Sequence, residues 1–200
     1  MAEYDYGYDC LYEVNEVDLG GSNWAKYGYD KLGNRKKTII DSDTVVYSPN
    51  SLCQYVKVDG TQLTYDNNGN LTYDGVRSYT YDCENRLLTA AGETFKYDFA
   101  GRRIRKTSGG TTTQYVYDGG RLIAEYEDSA LVRKYVYGPG IDEPVCLITK
   151  SGENWVKYYY HYDGLGSVVG LSDADGYLQE YYEYDVFGAV SYTHLRAHET

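Results

Sequence analysis

Tyr27-Gly28-Tyr29-Asp30-Lys31-Leu32-Gly33-Asn34-Arg35-Lys36-Lys37-Thr38-Ile39-Ile40 decides the fold of this chain. Aromatic residues two apart, Tyr27 and Tyr29, share one face of a strand because side chains alternate with period two. Asp30 then opens a turn by bonding its own downstream backbone, and Gly33 supplies the positive φ that closes it. Lys36 to Ile40 reads as the return strand. Strand, short turn and strand make a β-hairpin.

The same unit recurs along the chain. Tyr81-Asp82 and Tyr97-Asp98 end aromatic-x-Tyr-Asp strands, as do Tyr117-Asp118, Tyr162-Asp163 and Tyr184-Asp185. Tyr6-Gly7-Tyr8-Asp9 is a further copy, and Leu63-Thr64-Tyr65-Asp66, Leu71-Thr72-Tyr73-Asp74 and Tyr135-Val136-Tyr137-Gly138 are looser ones. Glycines follow at Gly33, Gly69, Gly101, Gly166 and Gly188. We take Tyr29, Asp30, Gly33, Tyr65, Asp66, Gly69, Tyr81, Asp82, Tyr97, Asp98, Gly101, Tyr117, Asp118, Tyr162, Asp163, Gly166, Tyr184, Asp185 and Gly188 as the structural repeat positions. No segment sustains a 3.6-residue apolar period, so the expected class is all-β: repeated antiparallel hairpins in a curved strip.

Composition explains why such a strip holds together. The 200 residues include 27 Tyr against 3 Phe, 2 Trp and 1 Met. A thin sheet cannot bury every side chain, and tyrosine packs its ring while its hydroxyl reaches water or backbone. Disorder is excluded by that aromatic content. Net charge is −11, and the basic runs Arg35-Lys36-Lys37 and Arg102-Arg103-Ile104-Arg105-Lys106 are short, which disfavours nucleic-acid binding. No run approaches the ~20 apolar residues of a membrane helix, and the acidic start Met1-Ala2-Glu3-Tyr4-Asp5 is unlike a signal peptide. Cys10, Cys53, Cys83 and Cys146 are far apart with no Cys-x-x-Cys pair, so a structural zinc site is not expected; disulfides stay open.

Three other motifs carry candidate chemistry beside plain hairpins. Gly164-Leu165-Gly166-Ser167-Val168-Val169-Gly170 after an aromatic strand is similar to a phosphate-binding loop, but its spacing is Gly-x-Gly-x-x-x-Gly and Ser172-Asp173-Ala174-Asp175-Gly176 forbids the long helix such a loop needs. Asp66-Asn67-Asn68-Gly69-Asn70 and Asp173-Ala174-Asp175-Gly176 echo pieces of calcium loops without the bidentate Glu. His161 alternates with Tyr160 and Tyr162, so it faces the other side of their strand and does not assemble a triad. No catalytic residue, cofactor or metal is expected.

These motifs make the chain resemble the Rhs/YD-repeat family. Tyr29 to Arg35, Asp66 to Gly75 and Tyr81 to Leu87 are similar to the family repeat. Tyr137-Gly138-Pro139-Gly140-Ile141-Asp142-Glu143-Pro144, Tyr160 to Val168, Leu171 to Gly176 and Tyr182 to Gly188 are similar, in order, to the start of the Rhs repeat-associated core. The resemblance covers most of Tyr27 to Gly188. It implies a β-strip that spirals into a hollow shell, as in bacterial polymorphic toxins and teneurins. In the toxins the shell encloses a C-terminal toxic domain of the same polypeptide, so the implied partner is that cargo. The implied location of the full-length parent, expected to be bacterial, is secreted or cell-surface. The family's self-cleavage segments do not follow Gly188, so no catalytic residue is carried over. An alternative role is a surface strip that adheres to cell-surface carbohydrate through exposed tyrosines.

The expected organisation is a hairpin strip over 1–114, the start of the core over 115–189, and a foreign tail over 190–200. Val190-Ser191-Tyr192-Thr193-His194-Leu195-Arg196-Ala197-His198-Glu199-Thr200 reads codon by codon as a translated transposase-type sequencing adapter. A genomic read continuing through the codon for Val190 would refute that reading. His194 and His198, four apart, are otherwise the spacing of a helical metal pair.

Overall fold

The computed structural model describes residues 5–18, 24–185 and 187–195, and of 191–195 only the backbone. The described residues form antiparallel strands and no helix. The chain divides into two compact units, Met1–Gly92 and Glu93–Thr200.

In the first unit β1 (Asp5–Tyr8), β2 (Val14–Asp18), β3 (Trp24–Tyr29) and β4 (Arg35–Ile40) follow one another in space as in sequence. The order continues through β5 (Asp43–Pro49), β6 (Tyr55–Val58) and β7 (Thr61–Gln62). Two short hairpins complete it: β8 (Thr64–Tyr65) with β9 (Leu71–Tyr73), and β10 (Tyr79–Tyr81) with β11 (Leu87–Ala90).

The second unit is a single meander. Its strands are β12 (Glu93–Tyr97), β13 (Arg103–Ser108), β14 (Thr111–Asp118), β15 (Arg121–Glu127) and β16 (Ala130–Tyr137). Then come β17 (Pro144–Ser151), β18 (Asn154–Tyr162), β19 (Val168–Ser172), β20 (Leu178–Tyr184) and β21 (Val190–Leu195). Each pairs antiparallel with the next. Val190–Leu195, from the segment expected to be foreign, thus lies as a strand beside β20; residues 196–200 of that tail lie outside the described residues.

Register sorts the side chains of the second unit into two faces. Tyr115 pairs with Glu125, Glu125 with Arg133, Tyr135 with Leu147, Leu147 with Tyr158, and Tyr160 with Leu171. This tyrosine face is half-buried to buried. The opposite face carries Lys96, Arg105, Lys134, Lys157, Tyr159 and His161, all exposed. Among the described residues the buried apolar set is small: Val17, Ala25, Phe95, Cys146 and Leu171. A sheet with so thin a core leans on hydrogen bonds and ring packing for its definition.

Candidate functional site

One turn, built the same way again and again, organises the candidate site. In the Asp30 copy the Asp30 N–H donates to the carbonyl of Asn34 at 2.9 Å, and the Gly33 N–H donates to the carbonyl of Asp30 at 3.1 Å. The Asp30 carboxylate accepts the N–H groups of Leu32 at 2.9 Å and Asn34 at 3.0 Å. Gly33 has φ 79°. This is a tight turn followed by a left-handed residue, with the Asp side chain satisfying donors that the hairpin ladder leaves over.

Asp9, Asp66, Asp82, Asp98, Asp163, Asp173 and Asp185 build the same pattern. So does Asn50, whose amide oxygen accepts from Leu52 and Gln54. Gly69, Gly101, Gly166 and Gly188 sit at the left-handed position, and Tyr12, Cys53 and Asn85 hold it without glycine, at φ 63°, 60° and 61°. In four copies the residue after it also closes the turn with its side chain. Asn34 and Asn70 donate amide N–H to Asp30 and Asp66 at 3.0 and 2.9 Å, while Arg86 and Arg102 donate Nε–H to Asp82 and Asp98 at 2.7 Å. Asp118 departs from the pattern: it pairs with Arg121 across a two-residue Gly119-Gly120 turn. At Gly138 the Glu143 side chain substitutes, accepting the Gly140 N–H at 2.9 Å.

In most copies the tyrosine before the turn ties one hairpin to its predecessor. Opposite Tyr97 lies Arg103 while Lys96 faces Arg105, so the return strand carries one extra residue there. The next ladder, β13 with β14, begins only at Arg105, which leaves the Arg103 carbonyl beyond its end. The Tyr117 hydroxyl donates to that carbonyl at 2.9 Å. Tyr137 reaches Leu122, the partner of Tyr117, at 2.9 Å, and Tyr162 reaches Pro144, the partner of Tyr137. Tyr184 then reaches Val168, the partner of Tyr162, at 2.6 Å. In the first unit Tyr29 donates to Val14 at 2.8 Å, Tyr65 to Tyr55 at 2.9 Å and Tyr81 to Leu71 at 3.0 Å. A backbone carbonyl in the sheet calls for a donor, and the hydroxyl supplies it where the backbone ladder has run out.

Arginines stack on these rings. Arg102 lies 4.9 Å from the Tyr117 ring centre, Arg121 5.4 Å from Tyr137 and Arg35 5.0 Å from Tyr47. Arg103 sits 5.6 Å from Phe95 and 5.1 Å from Tyr115. Arg121 also donates to the Gly140 carbonyl at 2.6 Å, joining the β14–β15 turn to the β16–β17 turn. Sequence reading found the tyrosines and aspartates but missed the Asn50 turn. Its only signal was the Ser48-Pro49-Asn50 cluster before an apolar strand.

Electrostatics fit a scaffold. Burial pushes the Tyr160 hydroxyl up to about 12, and burial with the Glu125 hydrogen bond raises Tyr135 further. Both stay protonated at neutral pH, and Tyr135 donates to Glu125. Four turn carboxylates are held below the ordinary 3.8: Asp30 and Asp66 chiefly by the Asn34 and Asn70 side chains, Asp82 and Asp163 chiefly by the N–H groups of Arg86 and Ser167. Among the described residues no His, Cys, Asp or Glu cluster can hold a metal ion. His161 Nε2 pairs with the buried Ser172 Oγ at 2.7 Å on the face opposite the tyrosines. Gly164 and Gly166 lie in a turn and Gly170 in β19, where an added Cβ would meet the Glu180 carbonyl at 3.0 Å; a strand, not a helix, follows the glycines.

An acid-stability prediction arises here. A carboxylate with a depressed native pKa stabilises the fold above its unfolded value, and that contribution disappears as pH falls through the native one. Acid unfolding is therefore expected below pH 3.8, the ordinary Asp value. Asp163→Asn keeps the acceptor, as Asn50 does naturally, and should blunt the acid sensitivity of its turn. Asp163→Ala should weaken the fold at neutral pH as well. Circular dichroism against pH checks both; identical curves for the two variants would contradict the assigned role.

Comparison with known proteins places this geometry. The Teneurin YD-shell family model matches residues 1–194. The chain is 40% identical over 177 residues to the tRNA3(Ser)-specific nuclease WapA of Bacillus spizizenii, and equally to the tRNA nuclease WapA of Bacillus subtilis. Each match covers 82% of this chain and 7% of the relative, so the chain spans a small part of these proteins. Teneurin-4 of Mus musculus is 25% identical over 86% of the chain. Among solved structures, TcdB2-TccC3 without its hypervariable C-terminal region aligns with TM-score 0.50 and 15% identity, over 97% of this chain and 15% of that one.

Proposed function

The chain belongs to the teneurin YD-shell family, and from that premise we propose that it is a non-catalytic stretch of shell wall. In this reading its parent polypeptide, secreted or displayed at the cell surface, encloses a C-terminal toxin-like domain. The relatives named as tRNA nucleases would then carry their nuclease outside the stretch matched here, which is 7% of their length. Enclosure requires a wall whose hairpins stay joined side by side.

One observation carries the reading. The repeat tyrosines are hydrogen-bonded to carbonyls of the preceding hairpin, so the characteristic side chains of the repeat work at holding neighbours together. Burial also raises the hydroxyls of Tyr117 and Tyr137 above the ordinary tyrosine value, which suits them poorly to proton transfer near neutral pH.

Limited proteolysis of the full-length parent tests the proposal. The C-terminal domain should survive protease concentrations that digest the same domain expressed alone. Equal digestion of the enclosed and free domains would overturn the wall reading.

A further inference from the structure

The face of the second unit opposite the repeat tyrosines carries an arrangement that holding hairpins together does not require. β18 lies between β17 and β19, and Trp155, Lys157 and Tyr159 stand two apart along it on that face, all exposed. Register places Lys150 beside Trp155, and Lys134 two strands from Lys157 with Ile148 between them. Lys134 Nζ lies 5.0 Å and Lys150 Nζ 5.6 Å from the Trp155 ring centre, so two ammonium groups gather on one indole. Among the described residues none of Lys134, Lys150 and Lys157 forms an ion pair. The strand carboxylates Glu125 and Glu127 register on the tyrosine side, and Glu153 lies in the turn before β18.

Tyr159 is unlike the repeat tyrosines. Its hydroxyl has no hydrogen-bond partner among the described residues, whereas Tyr117, Tyr137 and Tyr184 donate to carbonyls. Its cross-strand neighbours Cys146 and Ser172 are small and buried, which leaves the Tyr159 ring as the surface at that point. In a chain of net charge −11, three unpaired ammonium groups beside two exposed rings are a local reversal of sign. We infer that Trp155, Lys157 and Tyr159, with Lys134 and Lys150, form a binding site for an acidic polysaccharide.

The chemistry of the face selects that occupant. Anionic groups meet the ammonium cluster, and the flat rings offer apolar faces to the C–H side of a sugar. Trp155 and Tyr159 are roughly 13 Å apart along the strand, with Lys157 midway. Rings and charge therefore alternate here as sugar and anionic group do along such a polymer. An extended acidic peptide gains its affinity by adding to an unpaired strand edge, and β18 has both edges paired. A nucleic acid needs a broad basic surface to offset its dense phosphates, and this patch sits in an acidic chain. The site is separate from the tyrosine–carbonyl contacts that carry the wall reading and adds a ligand on the other face.

The whole chain is the test protein, with dextran sulfate as the probe at physiological ionic strength. Trp24→Phe leaves Trp155 as the sole tryptophan, and dextran sulfate should change its fluorescence saturably. Uncharged dextran should bind roughly tenfold more weakly or worse, as should the Lys134→Gln/Lys150→Gln variant, because charge-assisted contacts are the strong ones. Tyr159→Ala should also weaken binding, by loss of a stacking face. Lys96→Gln/Arg105→Gln removes the same charge from the same face several strands away. Beyond the reach of unscreened charge, it should leave binding within about twofold. Far-UV circular dichroism establishes that the variants remain folded; the lysine and arginine pairs are exposed, so their comparison carries the test. Equal losses in these two double variants would reduce the site to general attraction and overturn the inference. So would polyuridylate binding at least as tightly as dextran sulfate, or the absence of a saturable response. None of these results touches protection of the C-terminal domain in the parent, so the wall reading stands or falls separately.

Discussion

Replacing Tyr117, Tyr137 and Tyr184 together by Phe is expected to lower the stability of the chain by about 3 kcal/mol. Each substitution keeps the ring, and with it the stacking of Arg102 on Tyr117 and Arg121 on Tyr137. What disappears is the hydroxyl donated to Arg103, Leu122 and Val168. A hydrogen bond is worth about 1 kcal/mol net, and more where the abandoned carbonyl stays out of water. For a chain of this size each 1 kcal/mol moves the melting temperature by about 2–4 °C, so a fall near ~10 °C is expected. The three bonds lie between different hairpins, which makes their effects close to additive. Tyr159→Phe is the control, because Tyr159 is exposed on the opposite face; it should change Tm little. Differential scanning calorimetry decides, and a triple variant melting with the parent would mean the hydroxyls are interchangeable with water.

That prediction rests on a contact the sequence does not display. Tyr29-Asp30 to Gly33 announces its own turn, because every partner of the Asp30 carboxylate lies within four residues. The hairpin, the strand alternation and the all-β class follow from such local chemistry. The acceptor of Tyr137 is Leu122, that of Tyr162 is Pro144 and that of Tyr81 is Leu71. These separations vary with loop length, and the acceptor is a backbone carbonyl that any residue offers. No side-chain pattern can mark it. The Asn50 turn was hidden for a related reason: Asn50 and Cys53 replace Asp and Gly, and Cys53 accepts φ 60° only because four hydrogen bonds fix the turn around it. The shortened turn at Asp118 hid too, since Tyr117-Asp118 reads like every other copy while Gly119-Gly120 supplies a two-residue hairpin.

The largest single-residue effect is expected at Arg133. Glu125 is a buried carboxylate on the tyrosine face, and it accepts Arg133 Nη1–H at 2.9 Å and the Tyr135 hydroxyl at 2.7 Å. Arg133→Met retains the aliphatic stem but leaves that charge with a single donor. Breaking a buried pair from one side costs about 3–5 kcal/mol. The Arg133 side chain is 43% exposed, so solvent already screens part of the attraction and about 2 kcal/mol is the better expectation. Tyr135→Phe should cost less, since the ion pair survives. The decisive comparison adds Glu125→Gln to Arg133→Met: a neutral amide needs no counter-charge, so the double variant should recover part of the loss. Urea unfolding midpoints measure all four proteins. A double variant no more stable than Arg133→Met would show that Arg133 acts by packing alone. Recovery would show that the thin tyrosine face buries a charge and depends on the neighbouring strand to balance it. Either outcome bears on the wall, because this pair spans β15 and β16, the strands that join one repeat turn to the next.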